Sequence, residues 1–130
     1  MKIAIQFYGH LRTFRKCYQS LKENFLNYYD ADIFIHTWDQ TEHNTQTWYT
    51  DDIKSKAENV DEKLIQEIKK LYNPKGLKIE KQNLFFDEGY YGTGDKIKIS
   101  LKAKKYQLYS LYISNKLRKK YSIKNSIKYD

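Results

Sequence analysis

Two short apolar runs limit what this chain can build: Ile3, Ala4, Ile5 and Phe7 near the start, then Ile33, Phe34 and Ile35. Each is too continuous for a strand with one wet face and too short for a helix, so each predicts a strand buried on both sides. Between them the period changes. Phe14, Cys17, Tyr18, Leu21, Phe25 and Tyr28 recur at three- and four-residue steps with Lys16, Gln19, Lys22 and Glu23 in the gaps, as in an amphipathic helix. Thr13 stands where its N-cap is expected. Buried strands joined by a helix run parallel, and the crossover is right-handed in nearly all known cases. Their C-terminal ends therefore share one edge, which brings Tyr8 to Arg12 beside His36 to Asp39. Open α/β sheets hold their ligands at that edge.

The expected fold is thus α/β: three layers around a mostly parallel sheet opened by a right-handed βαβ unit. At 130 residues the chain predicts a single domain over 1–130 with one core. Residues 40–59 are polar apart from Trp48 and Tyr49 and read as a long surface loop. A second helix is expected from about Val60 to Tyr72, with Leu64, Ile65, Ile68 and Leu71 inward and Asn73, Pro74 and Gly76 ending it. Leu77 to Lys81 reads as a third, more exposed strand. Asp87 to Asp95 holds three glycines and reads as a flexible loop. From Ser100 a long helix is expected to turn Leu101, Leu108, Tyr109, Tyr112, Ile113, Leu117 and Tyr121 inward beneath a lysine surface. Ser126 to Asp130 shows no cap and no closing element.

A net charge of +8 directs attention to nucleic acid, phosphates or anionic membranes. The excess is nearly all lysine in a chain also rich in isoleucine, asparagine and tyrosine, so coding bias accounts for part of it. The lysines of the last helix, Lys102, Lys104, Lys105, Lys116, Lys119 and Lys120 with Arg118, read first as a solvated face, which makes nucleic acid a poor candidate. A basic module for RNA or an anionic membrane surface is the alternative reading. The single Cys17 allows no internal disulfide and reads as a small buried hydrophobe. With no secretory leader and no apolar stretch of membrane-spanning length, a cytoplasmic protein is expected, with peripheral contact to the inner membrane left open.

The segment Gly9-His10-Leu11-Arg12-Thr13 carries the most chemistry. It joins a buried strand to a helix N-terminus, where unpaired amides and the helix dipole favour an anion such as phosphate. Arg12 and Arg15 are two of only three arginines, so fork-shaped donors gather here. An ordinary solvated turn, with Gly9 chosen for its backbone, has equal weight. Dinucleotide binding is rejected, since one glycine stands where that fingerprint has three, and Gly92-Thr93-Gly94 follows no core strand. Asp39 is placed to accept a hydrogen bond from a base N–H or a ribose hydroxyl. Trp38 suits either stacking on a base or the core. His36, Asp39, Glu42 and His43 lack any established zinc spacing and read as polar lining. The D-x-D at Asp30-Ala31-Asp32 precedes the second strand, on the edge opposite the ligand, so no metal role is assigned to it.

Three blocks, IAIQFYGHLRTF (3–14), DIFIHTWD (32–39) and YQLYSLYISNKLRKKYSIKNSIKYD (106–130), carry a resemblance. The chain resembles the N-terminal portion of bacterial sugar transferases from capsule and lipooligosaccharide gene clusters. The resemblance implies the Rossmann-like half of a GT-A-like, nucleotide-diphospho-sugar fold. It implies a nucleotide sugar as ligand, held by Tyr8, Gly9, Arg12 and Asp39; with His10 and Thr13 from the turn and Trp38 from the strand end, the candidate nucleotide- and phosphate-binding residues are Tyr8, Gly9, His10, Arg12, Thr13, Trp38 and Asp39. It also implies that the strand with the acidic metal motif, a Mg or Mn ion and the catalytic groups belong beyond residue 130 of a full-length homologue. No cofactor and no catalytic residue are therefore assigned to this chain, and little transfer activity is expected of it alone. A missing C-terminal half, or self-association at the sheet edge, is the expected protein partner.

Overall fold

The computed structural model describes residues 1–42, 57–85, 89–91 and 99–130. Strands β1 (Ile3–Gly9), β2 (Ala31–Trp38) and β3 (Gly76–Glu80) form one sheet in the order β1-β2-β3. Both pairs are parallel, Gly9 lying opposite Thr37 and Trp38 opposite Glu80. The parallel βαβ unit expected from the two apolar runs is present. Because β2 is central, it is buried from Asp32 to Trp38, while β1 at the edge is only half-buried. The expectation that both would be buried on two faces is met by β2 alone. His36, Thr37 and Trp38 also belong to the strand and not to a polar cluster past its end.

Alternation along β2 divides the core in two. Ile33 and Ile35 face helices α1 (Phe14–Leu21) and α2 (Glu62–Tyr72), packing with Leu11, Leu64, Ile68 and Tyr72. Phe34 and Trp38 face helix α3 (Leu101–Asn125), meeting Tyr121 and Tyr106 at ring distances of 5.7 and 5.1 Å. The sheet therefore has α1 and α2 on one side and α3 on the other, the three-layer α/β arrangement expected.

Local signals explain the helix limits. Asp61 caps α2 by accepting a hydrogen bond from the Leu64 amide at 2.8 Å, and Asn73 closes it in the left-handed region at φ 42°. Thr13 precedes α1 but supplies no side-chain cap; its hydroxyl lies 3.3 Å from Cys17 Sγ. Cys17 is exposed, not the buried hydrophobe expected. After α1 the chain widens into a π-helical turn, Lys22–Leu26, with the Asn27 amide bonded back to the Lys22 carbonyl at 3.1 Å.

Three further expectations are corrected. Tyr90–Tyr91 (β4) pairs antiparallel with Ile99–Ser100 (β5), within and beside what reads as loop. Gly92-Thr93-Gly94, His43, Trp48 and Tyr49 lie outside the described residues. Helix α3 turns Tyr106, Ser110, Ile113 and Ser114 toward the sheet and leaves Leu108 and Tyr112 exposed. Small side chains let α3 approach closely, as does Gly76, where a Cβ would stand 3.1 Å from Leu117 Cβ. The tail is also a closing element. The Asp130 amide donates to the Lys2 carbonyl at 3.0 Å, and the Tyr129 hydroxyl donates to buried Asp32 at 2.8 Å. Burial and that carboxylate push the Tyr129 phenol well up. Among the described residues no helix is long and apolar enough to cross a membrane.

Candidate functional site

The parallel register brings the C-terminal ends of β1 and β2 together, and the turns that follow them are joined. His10 Nδ1–H donates to the Gln40 carbonyl at 3.2 Å, and Arg12 Nε meets Glu42 Oε2 at 2.7 Å. Gly9 sits at φ 107° with open space where a Cβ would stand, so backbone conformation selects glycine there. Its amide donates to Ser110 Oγ at 3.0 Å and is committed to α3 in this structure. The Phe14 amide likewise bonds the Leu11 carbonyl at 2.9 Å. Arg15 does not join the turn: its fork closes on Glu67 at 2.6 and 2.7 Å, tying α1 to α2. That pairing raises the guanidinium pKa and lowers that of the carboxyl.

Behind the turn lies a cavity of about 220 Å³, on the α1/α2 side of the sheet. Phe7, Phe14, Ile35, Ile68 and Tyr72 give it apolar walls, and Gly9, His10, Thr13, Cys17 and Thr37 add polar atoms. Tyr72 is fixed by its hydroxyl, which donates to the Phe14 carbonyl at 2.7 Å, and burial raises its pKa. Thr37 is only 1% exposed, and its Oγ1 has no hydrogen-bond partner. A buried hydroxyl left unpaired costs about 1–3 kcal/mol. The cavity is smaller than the roughly 300–1,000 Å³ that encloses a drug-sized ligand, so it suits one ring, not a whole nucleotide sugar.

Of the sequence candidates, Tyr8, Gly9, His10, Arg12 and Thr13 do gather at this edge. Tyr8 is exposed, while Asp39 is half-buried, with its amide bonded to the Glu80 carbonyl at 2.9 Å. The Asp39 carboxylate has no hydrogen bond or ion pair among the described residues. Trp38 stands apart, since it is buried between Tyr106 and Tyr109 and offers no free face to a base. Thr37 falls within the stretch His36 to Asp39 that the sequence places at this edge, but the sequence assigns it no role; its polarity at an inward position of a buried strand is the signal that marks it.

His36, at the same strand end, faces the other side of the sheet. It is buried among polar partners: Nε2–H donates to Glu80 Oε2 at 2.9 Å, and the Ser110 hydroxyl donates to Nδ1 at 2.6 Å. Burial lowers the His36 pKa and keeps the ring neutral, which fits that tautomer. Although burial opposes it, hydrogen bonds from Lys78 and His36 hold the Glu80 carboxyl below its usual range. Serine, histidine and glutamate in a row resemble a hydrolytic triad. The resemblance fails on access, because Ser110 and His36 are both fully buried and Ser110 Oγ already receives the Gly9 amide. The network is structural, and no group of three or more metal-ligating side chains occurs among the described residues.

No protein-family model matches this chain, and neither the curated proteins nor the solved structures compared with it give a match.

Proposed function

We propose that this chain is a nucleotide-sugar-binding module, the donor-binding part of a glycosyltransferase for bacterial surface polysaccharide. The observation that carries this reading is the unpartnered Thr37 hydroxyl beside a ring-sized cavity, at the C-terminal ends of two parallel strands. A ring of the donor would enter the cavity and use Thr37. Arg12 would exchange its pairing with Glu42 for a phosphate, and Asp39 would accept from a ribose hydroxyl or base N–H. The Rossmann-like half of a GT-A-like fold agrees with the three-layer arrangement and with the resemblance of residues 3–14 and 32–39. Transfer itself needs a cation or equivalent donors for the leaving diphosphate and a base for the acceptor. We assign this chain binding, with those groups supplied elsewhere.

Isothermal titration with nucleoside diphosphates and their sugar conjugates tests the reading. One of them should bind saturably, and Arg12→Ala and Thr37→Val should each weaken it by about tenfold, the equivalent of one charge-assisted or buried hydrogen bond. A flat response to every nucleotide tried would end the proposal.

A further inference from the structure

Helix α3 has a second apolar stripe that the fold does not use. At about 100° per residue, Leu101, Leu108, Tyr112 and Ile123 project about half a turn away from Ser110, which is buried against the sheet. Leu108, Tyr112 and Ile123 are 53%, 59% and 81% exposed, and Leu111 beside them is 41% exposed. These are large side chains in water on a helix whose inward face is already packed.

The charge on the same helix is one-sided. Its 25 residues include eight lysines and arginines and no aspartate or glutamate. Since the whole chain has 24 basic and 16 acidic residues, the remainder balances and α3 carries the entire net charge of +8. Lys104 and Lys116 flank the outward stripe, and Lys105 and Lys119 stand within it, where long aliphatic stems can lie along apolar surface while the ammonium groups reach outward.

We propose that this outward face of α3 docks on the surface of an anionic phospholipid bilayer. An exposed stripe of Leu, Tyr and Ile flanked by and interspersed with lysines matches a helix lying in the interface plane, with its apolar side chains toward the acyl chains and its cations reaching up to the headgroups. A second copy of the chain is a poor occupant, because two such helices would oppose eight positive charges to eight with no acidic residue between them. Nucleic acid would leave the leucines facing a phosphate surface. The helix, roughly 37 Å long by its rise per residue, offers contact along one whole side of the molecule. The cavity lies on the opposite side of the sheet, so docking leaves it uncovered, and this inference does not depend on the nucleotide reading.

The test is co-sedimentation of the full chain with unilamellar vesicles of phosphatidylcholine alone or mixed in equal parts with phosphatidylglycerol. Binding should occur on the mixed vesicles, be at least about tenfold weaker on the neutral ones, and weaken as salt rises. The Leu108→Ser/Tyr112→Ser double variant, exposed and so expected to fold with an unchanged circular dichroism spectrum, should lose binding by a similar factor. Lys104→Glu/Lys119→Glu should abolish the preference for anionic lipid, while Lys16→Glu on α1 should leave binding unchanged. Absent binding, equal binding to both vesicle types, or binding indifferent to the double variant would overturn the proposal. So would self-association abolished by the double variant, or binding of single-stranded RNA without any binding of vesicles.

Discussion

The two sides of the sheet solve the same problem differently. Toward α3, β2 presents Phe34, His36 and Trp38, and each polar atom of His36 has a partner, Ser110 or Glu80. Toward α1 and α2 it presents Ile33, Ile35 and Thr37, with a cavity and an unbonded hydroxyl. Among the described residues one side leaves no buried side-chain polar atom unbonded; the other keeps an empty volume and an unused polar group. Polarity within the core therefore does not mark the site, since the more polar side is the more completely bonded. Unmet bonding does.

Ser110→Ala should break this contrast hardest. It removes both the acceptor of the Gly9 amide and the donor to His36 Nδ1, and leaving buried groups unpaired should cost about 2–3 kcal/mol, read as a lower midpoint in urea unfolding. Acid comes next. The folded His36 pKa lies below its ordinary 6.5 because of burial, so the unfolded chain takes up the proton first. Its stabilising contribution is complete above 6.5 and is lost as pH falls through the folded value, with a slope of at most about 1.4 kcal/mol per pH unit. Urea unfolding between pH 7.5 and 5 should show the decline, and His36→Gln should flatten it; a decline unchanged in that variant would assign it to other groups. Smallest, and opposite in sign, is Thr37→Val without ligand. Removing an unbonded hydroxyl at nearly constant volume should stabilise the protein by about 1 kcal/mol. A loss from Thr37→Val similar to that from Ser110→Ala would show that the two sides are equally bonded and remove the basis for the site.

Much of this architecture was legible in the residues. The apolar runs at Ile3 and Ile33 placed β1 and β2, and the stripe of Leu64 and Ile68 placed α2, because burial of continuous or periodic apolar side chains is a local signal. The gathering of Tyr8 to Thr13 at the C-terminal edge of the sheet followed from parallel topology alone. The orientation of α3 was not legible, since its sequence has two stripes and the one that packs contains Ser110 and Ser114. Hydropathy favours Leu108 and Tyr112, whereas hydrogen bonds from Ser110 to His36 and from Ser114 to Gln6 favour the serines. The return of Tyr129 and Asp130 to Asp32 and Lys2 left no trace either. Thr37 escaped for a related reason: whether a hydroxyl is bonded depends on neighbours that arrive from other elements.

The bond from Gly9 to Ser110 spans 101 positions of the chain, and this bears on the order of events during synthesis. Every candidate polar contact emerges within the first 42 residues, yet the amide that opens the turn finds its acceptor only after α3 has been made and docked. Closing so long a stretch of chain costs entropy before the contact contributes anything. The turn therefore cannot take its final shape before Ser110 is in place. A ligand that recognises that shape would bind finished chains in preference to nascent ones, and by mass action would favour their completion.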